Sequence, residues 1–61
     1  MGDVEHVIQA IRREFELRKS WEEAARVVKT RDHKRCVRVM ETIGSWPSSE
    51  LELAALQSVW P

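Results

Sequence analysis

Lys19-Ser20-Trp21-Glu22-Glu23-Ala24-Ala25-Arg26-Val27-Val28 is the stretch that decides how the chain divides. Propensity alone would run it on from the helical pattern before it. Ser20 and Glu23 break that continuity, because a Ser followed three residues later by Glu forms a capping box. The Ser hydroxyl accepts from the Glu amide, and the Glu carboxylate reaches back to the Ser amide. A helix boundary is therefore expected near Lys19. The helix that follows carries Trp21, Ala24, Ala25 and Val28 on its apolar side and ends around Lys29 or Thr30.

Toward the N-terminus, Val4, Ile8, Ile11 and Phe15 recur at helical spacing, with Val7 on the shoulder of the stripe. A first helix from Gly2 to about Arg18 follows. Asp3 serves it as N-cap or as a negative charge in the first turn, and Glu14 and Arg18 pair one turn apart. Toward the C-terminus, Asp32 can cap a third helix from His33 to about Thr42, with Gly44 as its stop. On a wheel of ~100° per residue, Arg31, Lys34, Arg35 and Arg38 fall within about 100° of arc, opposite Cys36, Val39, Met40 and Ile43. A strand through Cys36-Val37-Arg38-Val39 competes, since that run is β-branched and partly alternating.

Ser45-Trp46-Pro47-Ser48-Ser49 reads as a turn, with Pro47 forcing Trp46 out of the helical region. Ser49 and Glu52 form a second capping box, which would open a last helix from Glu50 to about Val59 bearing Leu51, Ala54, Ala55, Leu56 and Val59. The expectation is an all-α protein: one small domain over residues 1–61, a compact bundle of three to four short helices, possessing a core centred on Ile8, Ile11, Phe15, Val28, Met40 and Ile43.

Composition narrows the class. With 61 residues there is room for one domain, and 43% hydrophobic with 33% charged residues is a globular balance. A single cysteine cannot form an internal disulfide, so a cytoplasmic, reducing compartment is expected. No apolar run approaches the ~20 residues that cross a bilayer, and no signal peptide or membrane partner is expected. A domain this short has a small core, and a homodimer would relieve that limit. The expected dimer interface is the end of the last helix, at Leu53, Leu56, Val59 and Trp60.

The formal net charge is zero, but the charge is segregated. All ten basic residues lie between Arg12 and Arg38, where five acids leave a net of plus five. From Lys29 to Arg38, five bases meet only Asp32. A basic helix of this kind can neutralise phosphates or read guanine in a major groove. The run from Glu22 to Val28 resembles the supporting helix of helix-turn-helix regulators, and the third helix would then lie in the groove. The fit is partial. Lys29-Thr30-Arg31 stands where the turn glycine belongs, and strict apolar positions of the motif land on Arg35 and Arg38. A ribbon–helix–helix arrangement fails because the chain ends before a second helix.

Two functions follow. One is a small nucleic-acid-binding, transcription-regulating protein that meets duplex DNA or RNA through Arg31, Lys34, Arg35 and Arg38. The other is a non-catalytic interaction module, such as an inhibitor, adaptor or subunit, docking the same helix on a larger acidic protein. The placement of the acids separates them: carboxylates folded beside the basic stripe, with Glu41 and Glu22 as candidates, disfavour nucleic acid. No enzyme is expected. His33 and Cys36 are three apart, but only His6 could join them, short of the three or four ligands zinc needs. No metal, cofactor, phosphate loop or catalytic constellation is therefore expected.

Overall fold

The computed structural model describes residues 2–44 and 49–60. Among these, four helices follow one another: α1 (Gly2–Arg18), α2 (Trp21–Arg31), α3 (His33–Ile43) and α4 (Leu51–Ser58). The all-α expectation holds. Cys36 to Val39, the competing strand, lies inside α3. Trp46 and the turn built on Pro47 lie outside the described residues.

The break between α1 and α2 falls where the capping box places it. Lys19 takes a left-handed backbone (φ 59°) and its N–H donates to the Phe15 carbonyl at 2.7 Å, a helix-ending geometry that glycine adopts more cheaply. Ser20 is extended, and its hydroxyl accepts from the Glu23 N–H at 3.3 Å. Glu23 does not complete the box; its carboxylate lies 3.7 Å from Arg26.

The α2–α3 junction departs from a helix-turn-helix. α2 runs on to Arg31, beyond the expected end at Lys29 or Thr30, so Asp32 alone separates the two helices. Its N–H closes α2 on the Val28 carbonyl, and its carbonyl accepts the Cys36 N–H that opens α3. A three- or four-residue turn is needed to swing a recognition helix clear of its support. The Asp32 carboxylate makes no cap bond and turns instead to Arg35. Gly44 ends α3 as expected, at φ 62° with its N–H on the Met40 carbonyl.

The second capping box does not form. The N-cap of α4 is Glu50, and Glu52 is buried rather than turned back on Ser49. Its carboxylate accepts from Arg12 Nε of α1 at 2.8 Å. The apolar side of α4 shifts accordingly: Leu53, Ala55 and Leu56 are buried, and Leu51 is exposed.

The core joins all four helices through Val7 and Ile11 of α1, Ala24, Ala25 and Val28 of α2, Cys36 and Val39 of α3, and the α4 residues. Ile11 and Val28 sit in it as expected; Ile8, Phe15, Met40 and Ile43 are half-buried around its edge. The buried side of α1 is rotated from the Val4–Ile8–Ile11–Phe15 stripe by about 60°, toward Val7 and Glu14. Ala24 and Ala25 of α2 are fully buried in the same core. Phe15 stacks on Trp21 across the α1–α2 break, with ring centroids 3.9 Å apart and planes 11° from parallel.

Candidate interaction surface

The basic side of α3 is only partly open to solvent: Lys34 and Arg38 are exposed, and Arg35 is half-buried. That side turns toward α1, and carboxylates meet it. Arg38 Nε donates to Asp3 Oδ2 at 2.8 Å. Arg35 Nε lies 3.7 Å from Asp3 Oδ1 and 3.1 Å from Asp32 Oδ2. Arg31, at the end of α2, donates to Glu14 Oε2 at 2.9 Å, while Arg18 holds the other oxygen of Glu14 at 3.0 Å. Of the four cations expected to touch nucleic acid, only Lys34 is exposed and, among the described residues, without an ion-pair partner.

The acids that pair with the stripe, among the described residues, are Asp3, Glu14 and Asp32 rather than Glu41 and Glu22. Glu22 accepts from the Ser58 hydroxyl across the α2–α4 contact. Glu41, two turns after Lys34 on α3, lines a cleft that borders the stripe. Asp3 and Glu14 are eleven residues apart, three turns of helix, so they project from nearly one line on α1. That line also holds Val7, which is buried. A sequence signal existed: acids aligned with an apolar stripe demand cations from whatever packs there.

The pairing fixes the charge states. The Arg38 hydrogen bond holds Asp3 below its ordinary 3.8, with the charges of Arg38 and Arg35 adding to the effect against partial desolvation. Hydrogen bonds from Arg18 and then Arg31 hold Glu14 below its ordinary 4.5. Asp3 in turn raises the affinity of Arg38 for its proton.

The second surface is a cleft of about 620 Å³ between the end of α2, α3 and the C-terminal tryptophan. Val37, Met40 and Trp60 give it an apolar wall, and Lys29, His33 and Glu41 stand around it. Trp60 folds back on its own chain, beside α2 and α3. Lys29 Nζ lies 5.1 Å from the Trp60 ring centroid and donates to the Val59 carbonyl at 3.0 Å. The His33 ring is 5.7 Å from the Trp60 ring.

The four residues expected to join two copies do not form one exposed face. Leu53 and Leu56 lie in the protomer's own core, 4% and 0% exposed, because α4 packs that side on α1 and α2. Val59 and Trp60 are half-buried against the same core. His33 and Cys36 likewise point apart. Cys36 is fully buried with its thiol 3.8 Å from the Val28 carbonyl, and desolvation, with Asp32 nearby, pushes it up to about 11. Among the described residues no group of three His, Cys, Asp or Glu side chains could hold a metal ion, and no helix is long and apolar enough to cross a membrane. Compared with protein-family models, with curated proteins and with solved structures, the chain matches none.

Proposed function

We propose that this chain is a non-catalytic protein-interaction module whose α3 meets an acidic surface on a larger protein. The observation that carries this is the chemistry of the basic face: Arg31, Arg35 and Arg38 are each already set against carboxylates. Four cations faced by Asp3, Glu14 and Asp32 leave little net positive charge. Phosphate contact draws its affinity from unneutralised cations and the counterions they release. Asp3 and Asp32, both partly exposed, would lie against a phosphate backbone and repel it. A protein surface offers discrete carboxylates, which can replace one internal partner at a time. Exposed ion pairs contribute only ~0–1 kcal/mol each, so such exchange is inexpensive.

The test is co-purification from the source cell, with and without nuclease, and mass spectrometry of what is retained. The expected result is an acidic protein partner that survives nuclease and is lost when Lys34 and Arg38 are changed to Glu. Loss of every partner on nuclease treatment overturns the module and restores duplex DNA or RNA as the ligand.

A further inference from the structure

The Asp3 contact has the form of a ligand in a site. Its two oxygens are divided between two arginines one turn apart on α3: Oδ2 takes the Nε–H of Arg38 at 2.8 Å, and Oδ1 faces Arg35 Nε at 3.7 Å. Two guanidinium groups at this spacing present a fork that suits a carboxylate. The occupant comes from the first turn of α1, 35 residues away in sequence from Arg38. First turns of helices fray readily, because their leading N–H groups have no partner within the helix.

The closed arrangement is also imperfect. Arg35 Nε is shielded from water and makes no hydrogen bond, although Asp32 Oδ2 lies 3.1 Å away. A shielded donor left without an acceptor disfavours the state that contains it. Opening the Asp3 contact therefore gives up one well-formed hydrogen bond, to Arg38, and at Arg35 only an ion-pair contact of 3.7 Å, too long for a hydrogen bond. Arg38 is about half exposed along its side chain, so a partner can reach it as Asp3 leaves.

We propose that Asp3 is an internal stand-in for a ligand, masking a carboxylate site formed by Arg35 and Arg38, and that an acidic peptide segment of a protein partner displaces it. This rests on the module function given above and adds which residues form the site and what keeps it closed. A peptide carboxylate is favoured over a nucleic-acid phosphate because Asp32 stays beside Arg35 when Asp3 leaves. A single carboxylate can dock on the Arg38 side of that neighbour, whereas a continuous phosphate backbone must pass along it.

The experiment titrates purified wild-type chain, Asp3→Asn, and Asp3→Asn combined with Arg35→Gln and Arg38→Gln. The probes are a fluorescent octaglutamate peptide and a fluorescent DNA duplex, both at low salt. Asparagine keeps the size and shape of the Asp3 side chain and removes its charge, and circular dichroism checks that each variant is folded. Asp3→Asn is expected to bind the peptide about three- to fivefold more tightly than wild type, the size of one exposed ion pair removed from competition. The triple variant should lose that gain. Arginine Nε–H resonances in nitrogen-edited spectra report the site directly: those of Arg35 and Arg38 should move on peptide addition. Equal peptide affinity of wild type and Asp3→Asn overturns the masking and leaves the module standing. A larger gain for duplex than for peptide overturns the acidic-peptide ligand. Peptide binding by none of the three also overturns the masking, while co-purification still decides the module separately.

Discussion

Removing Arg12 should damage this protein more than replacing the acid it holds. Arg12 and Glu52 join α1 to α4 across 40 residues of sequence through one hydrogen bond of 2.8 Å. The pair is lopsided: the Arg12 side chain is 51% exposed, whereas that of Glu52 is 6% exposed. Arg12→Ala leaves a carboxylate in the interior without its donor, which costs about 1–3 kcal/mol. Glu52→Leu removes the charge, fills the space with carbon beside Leu53 and Leu56, and returns Arg12 to water. Such exchanges are near neutral or stabilising, so the change should stay within about 1 kcal/mol of wild type. A core this small supplies only ~3–5 kcal/mol in all, and Arg12→Ala should therefore leave a visibly unfolded fraction. Urea denaturation followed by tryptophan fluorescence and by circular dichroism gives the comparison. With a slope near 1 kcal/mol per molar urea, the Arg12→Ala midpoint should fall by about 1 M or more. The double variant Arg12→Ala/Glu52→Leu should recover most of that loss. A midpoint for Arg12→Ala within about 0.3 M of wild type, below the smallest cost expected here, would show that Glu52 finds water or another donor and would refute the tether.

Acid should loosen the fold through Asp3 and Glu14. Both have folded-state values below their ordinary ones, so their contribution is complete above the ordinary range and is lost as pH falls through the folded values. Melting temperature should be flat above about pH 5 and drop below about pH 4, less steeply in Glu14→Gln. Cys36, fully buried and raised to about 11, should resist a thiol reagent at about pH 8 until urea unfolds the chain; reaction at the rate of the unfolded control would place the thiol at the surface. Lys19→Gly should raise stability by up to ~1 kcal/mol, because glycine holds the left-handed backbone at that position without a Cβ penalty, and a lowered melting temperature would refute the strain. Trp60→Ala should lower the melting temperature equally at all protein concentrations, since the ring packs on Lys29 and His33 of its own chain; a concentration-dependent loss would instead place Trp60 in an interface between copies.

The parts of the fold that were legible in the sequence are those governed by neighbours in sequence. Ser20 and the Glu23 amide are three residues apart, so the α1–α2 break follows from local geometry, as does the stop at Gly44. The Cys36–Val39 side of α3 was legible for a similar reason: an amphipathic helix shows its apolar arc within two turns. Where a residue's partner lies on another element, the local pattern misleads. Glu52 reads as the acid of a capping box only until Arg12 offers a stronger, charge-assisted bond from α1. Asp32 reads as an N-cap until Arg35, one turn on, draws its carboxylate away. Leu53 and Leu56 read as a free edge until α4 lies down on α1 and α2.

The basic stripe was legible as a stripe but not as a surface. Sequence places Arg31, Lys34, Arg35 and Arg38 on one arc of one helix; in the fold Lys34, Arg35 and Arg38 share α3, and Arg31 ends α2 on the other side of Asp32. What covers the stripe depends on how α1 crosses α3, and α1 is aligned by its own buried residues, Val7 and Ile11. Once those two are in the core, Asp3 is carried to Arg38 and Glu14 to Arg31 with no further choice. Hydrophobic packing thus sets the electrostatics here, and the charge pattern takes its meaning from it. The consequence for binding is specific. A ligand competing for Arg38 works against a helix end, which yields, whereas a ligand competing for Arg31 works against Glu14, a buried carboxylate fastened also by Arg18. The two ends of the stripe therefore differ in how readily they open. Arg38 and Arg35 are held by a carboxylate on a helix end, and Arg31, although exposed, is held by one anchored in the fold.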